Sequence, residues 1–115
     1  MSITPLYGKK GQAVVFFADE DRIITLKGKS LAWISGEHVY NYAGDHIGWW
    51  VDGNLMGPDG GLMAWQTRTP YLGVTLPYPS EPPDSPVPST EPIRPTPSIP
   101  PFKPTDKIGW SAFTF

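Results

Sequence analysis

Chemistry in this chain would have to come from few side chains. Two histidines, His38 and His46, stand eight residues apart, each beside an acid, Glu37 and Asp45. A histidine–carboxylate pair can move protons, and histidines can hold a metal. A metal site needs three or four converging ligands, however, and the chain has no third histidine and no cysteine. In a meander of short strands Glu37 and His38 follow one turn and Asp45 and His46 the next, at opposite ends of the strand between them; both pairs read as solvated turn residues. Ser30 and Ser35 lack the Gly-x-Ser-x-Gly setting of a strained nucleophile. GPDGG, Gly57 to Gly61, opens a strand and so lacks the helix N-terminus with which glycine-rich loops bind anions. We therefore expect no catalytic residue, no metal, no cofactor and no enzymatic activity.

The tryptophans are the remaining candidates, and five in 115 residues is many. Aromatic faces bind sugars, quaternary amines and apolar chains by stacking and cation–π contact. Phe16, Trp33, Trp49 and Trp65 recur at one position of a repeat, and Trp50 follows the third of them. A small core also needs one large side chain per repeat, so the set reads either as packing or as the lining of a ligand site. As ligand-binding residues the sequence offers Phe16, Trp33, Trp49, Trp65 and Trp50, for a small apolar or aromatic-stacking ligand or an unknown protein partner.

The elements that position these side chains follow from the repeat. Gly11-Gln-Ala-Val14-Val15-Phe16, Gly28-Lys-Ser-Leu31-Ala32-Trp33, Gly44-Asp-His-Ile47-Gly48-Trp49 and Gly60-Gly-Leu-Met63-Ala64-Trp65 share the form Gly-x-x-aliphatic-small-aromatic, spaced 17, 16 and 16 residues apart. Between them lie Asp19-Glu20-Asp21, Ser35-Gly36 and Asp52-Gly53-Asn54, residues that tolerate the positive φ of tight turns. The leading glycine of each phrase reads the same way. A turn thus arrives about every eight residues, and the residues between turns alternate as strands do. We expect an all-β fold: four β-hairpins, about eight short strands, in a pseudo-fourfold closed or nearly closed meander. Alternation places the aliphatic and aromatic residues on one face and the small residue on the other, with Val15, Ala32, Gly48 and Ala64 nearest the axis. The next position, Phe17, Ile34, Trp50 and Gln66, varies between repeats and is where asymmetry enters.

These four phrases, with the opening PLYGKKG and a proline-rich tail ending in WSAFTF, resemble the four-fold β-flower family of small bacterial proteins. The resemblance covers the head from Pro5 to about Gln66 and extends to the tail. It implies a shallow symmetric β-structure and brings no catalytic residues with it. The likeness of such petals to tubby-type domains implies a lipid- or membrane-surface role by fold analogy alone. IGWWVDGNLM is also similar to choline- and glycan-binding cell-wall repeats, although those are a few residues longer and pair their aromatics in adjacent hairpins.

Thirteen of the fifteen prolines fall between Pro70 and Pro104, which divides the chain into a four-repeat β domain, 1–69, a proline-rich extended segment, 70–105, and an aromatic anchor or strand, 106–115. Prolines this dense exclude helix and inner strand. The apolar residues Tyr71, Leu72, Val74, Leu76 and Tyr78 favour docking of this arm on a surface over a free tether. PIRPTP carries PxxP spacing, Pro92 to Pro95, which reads as a spacer before it reads as a ligand. Ile108-Gly109-Trp110 repeats Ile47-Gly48-Trp49, so the end packs on the head or adds as a strand, in its own chain or a neighbour's; a homo-oligomer through the arm is one outcome. Net charge is -2 and the longest basic run is Lys9-Lys10, which argues against nucleic acid. No transmembrane segment and no signal peptide is expected, and the location expected is cytoplasmic. Function is expected to be that of a non-catalytic protein-interaction or small-ligand-binding module.

Overall fold

Glycine sets the outline of the molecule. In the computed structural model, which describes residues 3–66, 74–102 and 109–113, Gly11, Gly28, Gly44 and Gly60 have φ of 81°, 94°, 91° and 85°. Each closes the same five-residue loop. Gly8, Thr25, Asn41 and Gly57 each donate their backbone N–H to the carbonyl four residues on and accept from the N–H three residues on. The Thr25 and Asn41 side chains accept two further loop N–H groups each, which stiffens loops two and three.

Eight strands hang from these loops: β1 Ile3–Tyr7, β2 Ala13–Ala18, β3 Arg22–Ile24, β4 Ser30–Ser35, β5 His38–Asn41, β6 His46–Val51, β7 Asn54–Met56 and β8 Leu62–Ala64. They form one antiparallel sheet in sequence order. Tyr7 and Trp65 exchange backbone hydrogen bonds of 2.8 and 2.9 Å, so the last repeat returns to the first and the sheet nearly closes. Closure removes the exposed edges of an open sheet.

The faces depart from simple alternation. Register shifts fall between Leu6 and Tyr7, Ile23 and Ile24, Val39 and Tyr40, and Leu55 and Met56. Opposite them Val14, Leu31, Ile47 and Met63, the aliphatic residue of every phrase, are extra residues in the pairing. A bulge of this kind turns two successive side chains to one face. The aliphatic residue therefore joins the small one and not the aromatic: Leu31, Ile47 and Met63 pack against the inner cluster of Leu6, Val15, Ile23, Ala32, Val39, Leu55 and Ala64. This corrects the face expected from alternation alone. Gly48 completes the small set because a Cβ there would strike the Met56 carbonyl.

At the narrow end the variable position closes the axis. Phe17 and Trp50, from opposite repeats, stack with ring centroids 4.6 Å apart. The backbone N–H groups of Ile34 and Trp50 bond to the carbonyls of Asp21 and Glu37 in the preceding turns, both at 2.8 Å. In the last repeat the buried Asn54 side chain takes that place for the Gln66 N–H, at 2.9 Å.

The proline-rich arm follows the four loops in order. Pro77-Tyr78-Pro79-Ser80, Pro86-Val87-Pro88-Ser89 and Pro95-Thr96-Pro97-Ser98 stand nine residues apart. Ser80, Ser89 and Ser98 donate their backbone N–H to the carbonyls of Gly11, Gly28 and Gly44 at 2.7, 2.8 and 2.9 Å. At each loop the residue between the prolines lays its carbonyl against the glycine Cα, where a side chain would collide. The lengths agree as well. Nine extended residues span about 28 Å, and a quarter of the perimeter of a disc measuring 37 × 36 × 19 Å is of the same order. At the fourth loop, among the described residues, Gly57 and Gly61 meet Trp110 and Ser111.

Gly28 and Gly36 both have positive φ, but nothing lies within 4 Å of the Cβ position of Gly36. Gly36→Ala is expected to cost the backbone strain alone, about 1–2 kcal/mol. Gly28→Ala should cost at least about 1 kcal/mol more, because it also displaces the arm. Urea unfolding measures both; equal losses would mean that docking contributes nothing at this loop.

Candidate functional site

The recurring aromatics lie on the outer face of the sheet, each packed against neighbouring groups. Phe16, Trp49 and Trp65 are 1% exposed and Trp33 is 6% exposed. Phe16 packs with Ala18, Ile24 and Ile3. Trp33 stacks on Tyr40 at 4.8 Å and carries the Arg94 guanidinium 5.4 Å from its ring centre. Trp65 meets Tyr7 at 4.9 Å and donates its indole N–H to the Gly8 carbonyl. The edge of His46 meets Trp49 at 4.6 Å. Trp50 is half-buried against Phe17 on the axis, so the structure does not bring the five into one site.

The histidines stand otherwise than the turn positions suggest. His38 opens β5 and His46 opens β6, and the antiparallel pairing sets Tyr40 opposite His46 and His38 opposite Trp49. The two imidazoles become diagonal neighbours on the outer face, with His38 Nδ1 3.0 Å from His46 Nε2. A four-residue strand is too short to keep them apart. Burial, then the neighbouring His38, pushes the His46 pKa down. His46 Nδ1 and Trp33 Nε1 are buried without a hydrogen-bond partner among the described residues. Those residues contain no group of three His, Cys, Asp or Glu side chains able to hold a metal.

A polar clamp fixes the arm between the second and third loops. Arg22 is buried, bonded to Asp19 at 2.6 Å, to the Ser30 hydroxyl at 3.2 Å and to the Ser89 carbonyl at 2.9 Å. Arg94 bridges Glu91 and Asp21 at 2.8 and 3.0 Å, and the Tyr42 hydroxyl donates to Glu91 at 2.5 Å. Burial and the adjacent Glu91 push the Tyr42 pKa well up. Burial raises Glu91 too, but the hydrogen bonds from Arg94 and Tyr42 outweigh it and hold its carboxyl below the usual range.

With its backbone held, the arm keeps every third residue exposed from Tyr78 to Phe102. Polyproline II repeats every three residues. The positions Tyr78, Glu81, Asp84, Val87, Thr90, Ile93, Thr96, Ile99 and Phe102 form one such stripe: none is proline, and all are exposed. Tyr78, Val87, Ile93, Ile99 and Phe102 are 86%, 88%, 95%, 93% and 101% exposed. The prolines occupy the other two sides. Comparing the tail with itself at a shift of nine, or marking every third residue, finds both patterns in the sequence.

A second surface opens where the first repeat meets the last. Lys9, Val14, Leu26, Met63, Trp110 and Phe113 line a groove of about 470 Å³. Its outer wall is the segment Gly109–Phe113, whose Trp110 forms a parallel bridge with Leu62. The end of the chain thus adds to its own β8. Residues 67–73, 103–108 and 114–115, with Tyr71, Leu72, Ile108 and the junctions at 69–70 and 105–106, lie outside the described residues.

A family model described as 4-fold beta flower protein matches residues 4–115, and the chain belongs to that family. The family has no catalytic activity assigned to it. No curated protein and no solved structure matches the chain. Among the described residues, no helix is long and apolar enough to cross a membrane.

The histidine pair gives a pH dependence with a definite sign. Because the His46 pKa lies below that of the unfolded chain, the unfolded state binds more protons as pH falls through 6.5. Stability is therefore expected to be complete above that pH and to decline below it, flattening once His46 is protonated in the folded state. Urea midpoints between pH 8 and 5 measure this, and His46→Gln should reduce the slope. An unchanged slope would assign it to other groups.

Proposed function

We propose that this beta flower is a non-catalytic protein-interaction module whose contact surface is the outward stripe of its own arm. The observation that carries the reading is a fixed backbone bearing exposed apolar side chains. Val87, Ile93, Ile99 and Phe102 project from a ribbon held at three loops and by the Arg22 and Arg94 clamps. Burying a side chain of this kind is worth about 1.5–3 kcal/mol. A free peptide spends about 1–2 kcal/mol per residue on ordering its backbone, whereas this one is ordered before it binds.

The partner that fits is a protein with a shallow apolar groove able to cover an extended ribbon, with pockets roughly 19 Å apart for side chains six residues apart. Recognition differs from the usual reading of PxxP peptides, because the stripe itself contains no proline. Glu81 and Asp84 continue the same stripe at its start and weigh against an anionic membrane as the surface.

A photo-cross-linking residue in place of Ile99, expressed in the native host, is expected to give a discrete protein adduct. The same residue in place of the exposed Lys10 should give none. Ile93→Ser with Phe102→Ser should abolish the adduct while changing stability by less than about 0.5 kcal/mol, because both sites are fully exposed. An adduct that survives both substitutions would remove the stripe as the contact surface.

A further inference from the structure

Beside the seam, loop four is covered by Gly109–Phe113, and that cover is firmly built. The Leu62 N–H bonds to the Gly109 carbonyl at 3.2 Å and the Ser111 N–H to the Leu62 carbonyl at 2.9 Å. The Ser111 hydroxyl and the Ala112 N–H reach Asp59 at 2.7 and 3.0 Å, and the Phe113 N–H reaches Ser111 Oγ at 3.0 Å. Between this wall and the first loop lies the groove of about 470 Å³, a size typical of small-molecule sites.

We infer that the seam groove binds a free single-chain aliphatic carboxylate. Its walls are aliphatic and aromatic, and two of them, Val14 and Met63, are bulge residues. Val14, Leu26 and Phe113 are 39%, 38% and 51% exposed, so the groove is open along its length. Among the described residues Lys9 is the charged one of the lining and makes no ion pair with another of them, and Lys10 beside it is exposed. Asp59, the acid nearest the wall, is committed: its two oxygens accept from the Gly61 N–H, the Ser111 hydroxyl and the Ala112 N–H. An apolar channel lined by Lys9 favours an apolar chain ending in an anion. The flexible Met63 suits an unbranched chain better than a ring system. This reading is independent of the arm stripe, which uses other residues.

The test is calorimetric titration of the full-length protein with sodium dodecanoate below its micelle concentration, with dodecanol as the neutral analogue. Dodecanoate is expected to bind one to one with a micromolar dissociation constant and to shift tryptophan emission, a shift that Trp110→Phe reduces. Lys9→Gln should weaken dodecanoate about five- to tenfold and leave dodecanol unchanged. Val14→Asp should abolish binding of both, and Met63→Glu serves in its place if that variant does not fold. The inference is overturned if dodecanoate does not bind, if Lys9→Gln has no effect, or if phosphatidylglycerol vesicles bind while the free carboxylate does not.

Discussion

One extra residue in each repeat shapes everything else in this molecule. Val14, Leu31, Ile47 and Met63 are bulged into the pairing, and each bulge rotates the strand that follows it. Without it the aliphatic residue would share the aromatic's face, and the inner face would hold only small residues. With it the inside gains an aliphatic layer near the loops and the outside keeps the large rings. The strands splay toward the loops and converge where Phe17 meets Trp50, which makes a flower of what would otherwise be a straight barrel. Two of the bulge residues, Val14 and Met63, reappear in the seam groove, because a side chain re-aimed toward the mouth of the sheet is the one left within reach of a ligand.

Placing rings outside creates a second problem, which the arm solves. About sixty-five residues bury little surface, and a sheet whose outer face carries Phe16, Trp33, Trp49 and Trp65 needs a second layer. A helix would need an amphipathic stretch that the sequence lacks. An extended proline-rich ribbon supplies part of that layer, laying Arg94 over Trp33, with little entropic cost, since proline restricts φ in the unfolded chain as well. The ribbon also satisfies the loops, whose glycine carbonyls would otherwise have only water as partner. Head and arm are in this sense one folding unit joined at every loop, although the composition divides them sharply.

Much of this was legible in the residues. The 16- to 17-residue glycine spacing, the turn residues between and the strand alternation give eight antiparallel strands, and the positive φ of all four leading glycines follows from the phrase itself. The inward small residues and outward aromatics were legible, but the aliphatic residue's face was not, because alternation assumes regular pairing and a bulge leaves no mark in a six-residue phrase. The histidines were misplaced for a related reason: counting turns separates His38 from His46, whereas the diagonal geometry of a four-residue strand joins them. The arm's nine-residue unit was legible but lies beneath a composition so rich in proline that its period is easily read as low complexity. No spacing rule reaches the seam groove, which depends on two distant segments meeting.

Symmetry explains why the surfaces with functional character stand where they do. A residue repeated four times is fixed by four equivalent packing demands, so Phe16, Trp33, Trp49 and Trp65 have little freedom to serve a ligand. Freedom returns where the repeats stop being equivalent. The fourth loop meets Gly109–Phe113, and that contact borders the groove. Within the arm, two sides of a three-residue period hold prolines and docking groups, while the third exposes its side chains and gives only the carbonyls of Tyr78, Val87 and Thr96 to the loop glycines. Glu81 and Asp84 at one end of that stripe and Ile93, Ile99 and Phe102 at the other can change without disturbing a single loop contact. A fold that separates its own stability from its display in this way can alter its partner by substitution along one stripe, and the proline framework keeps each new side chain in the same place.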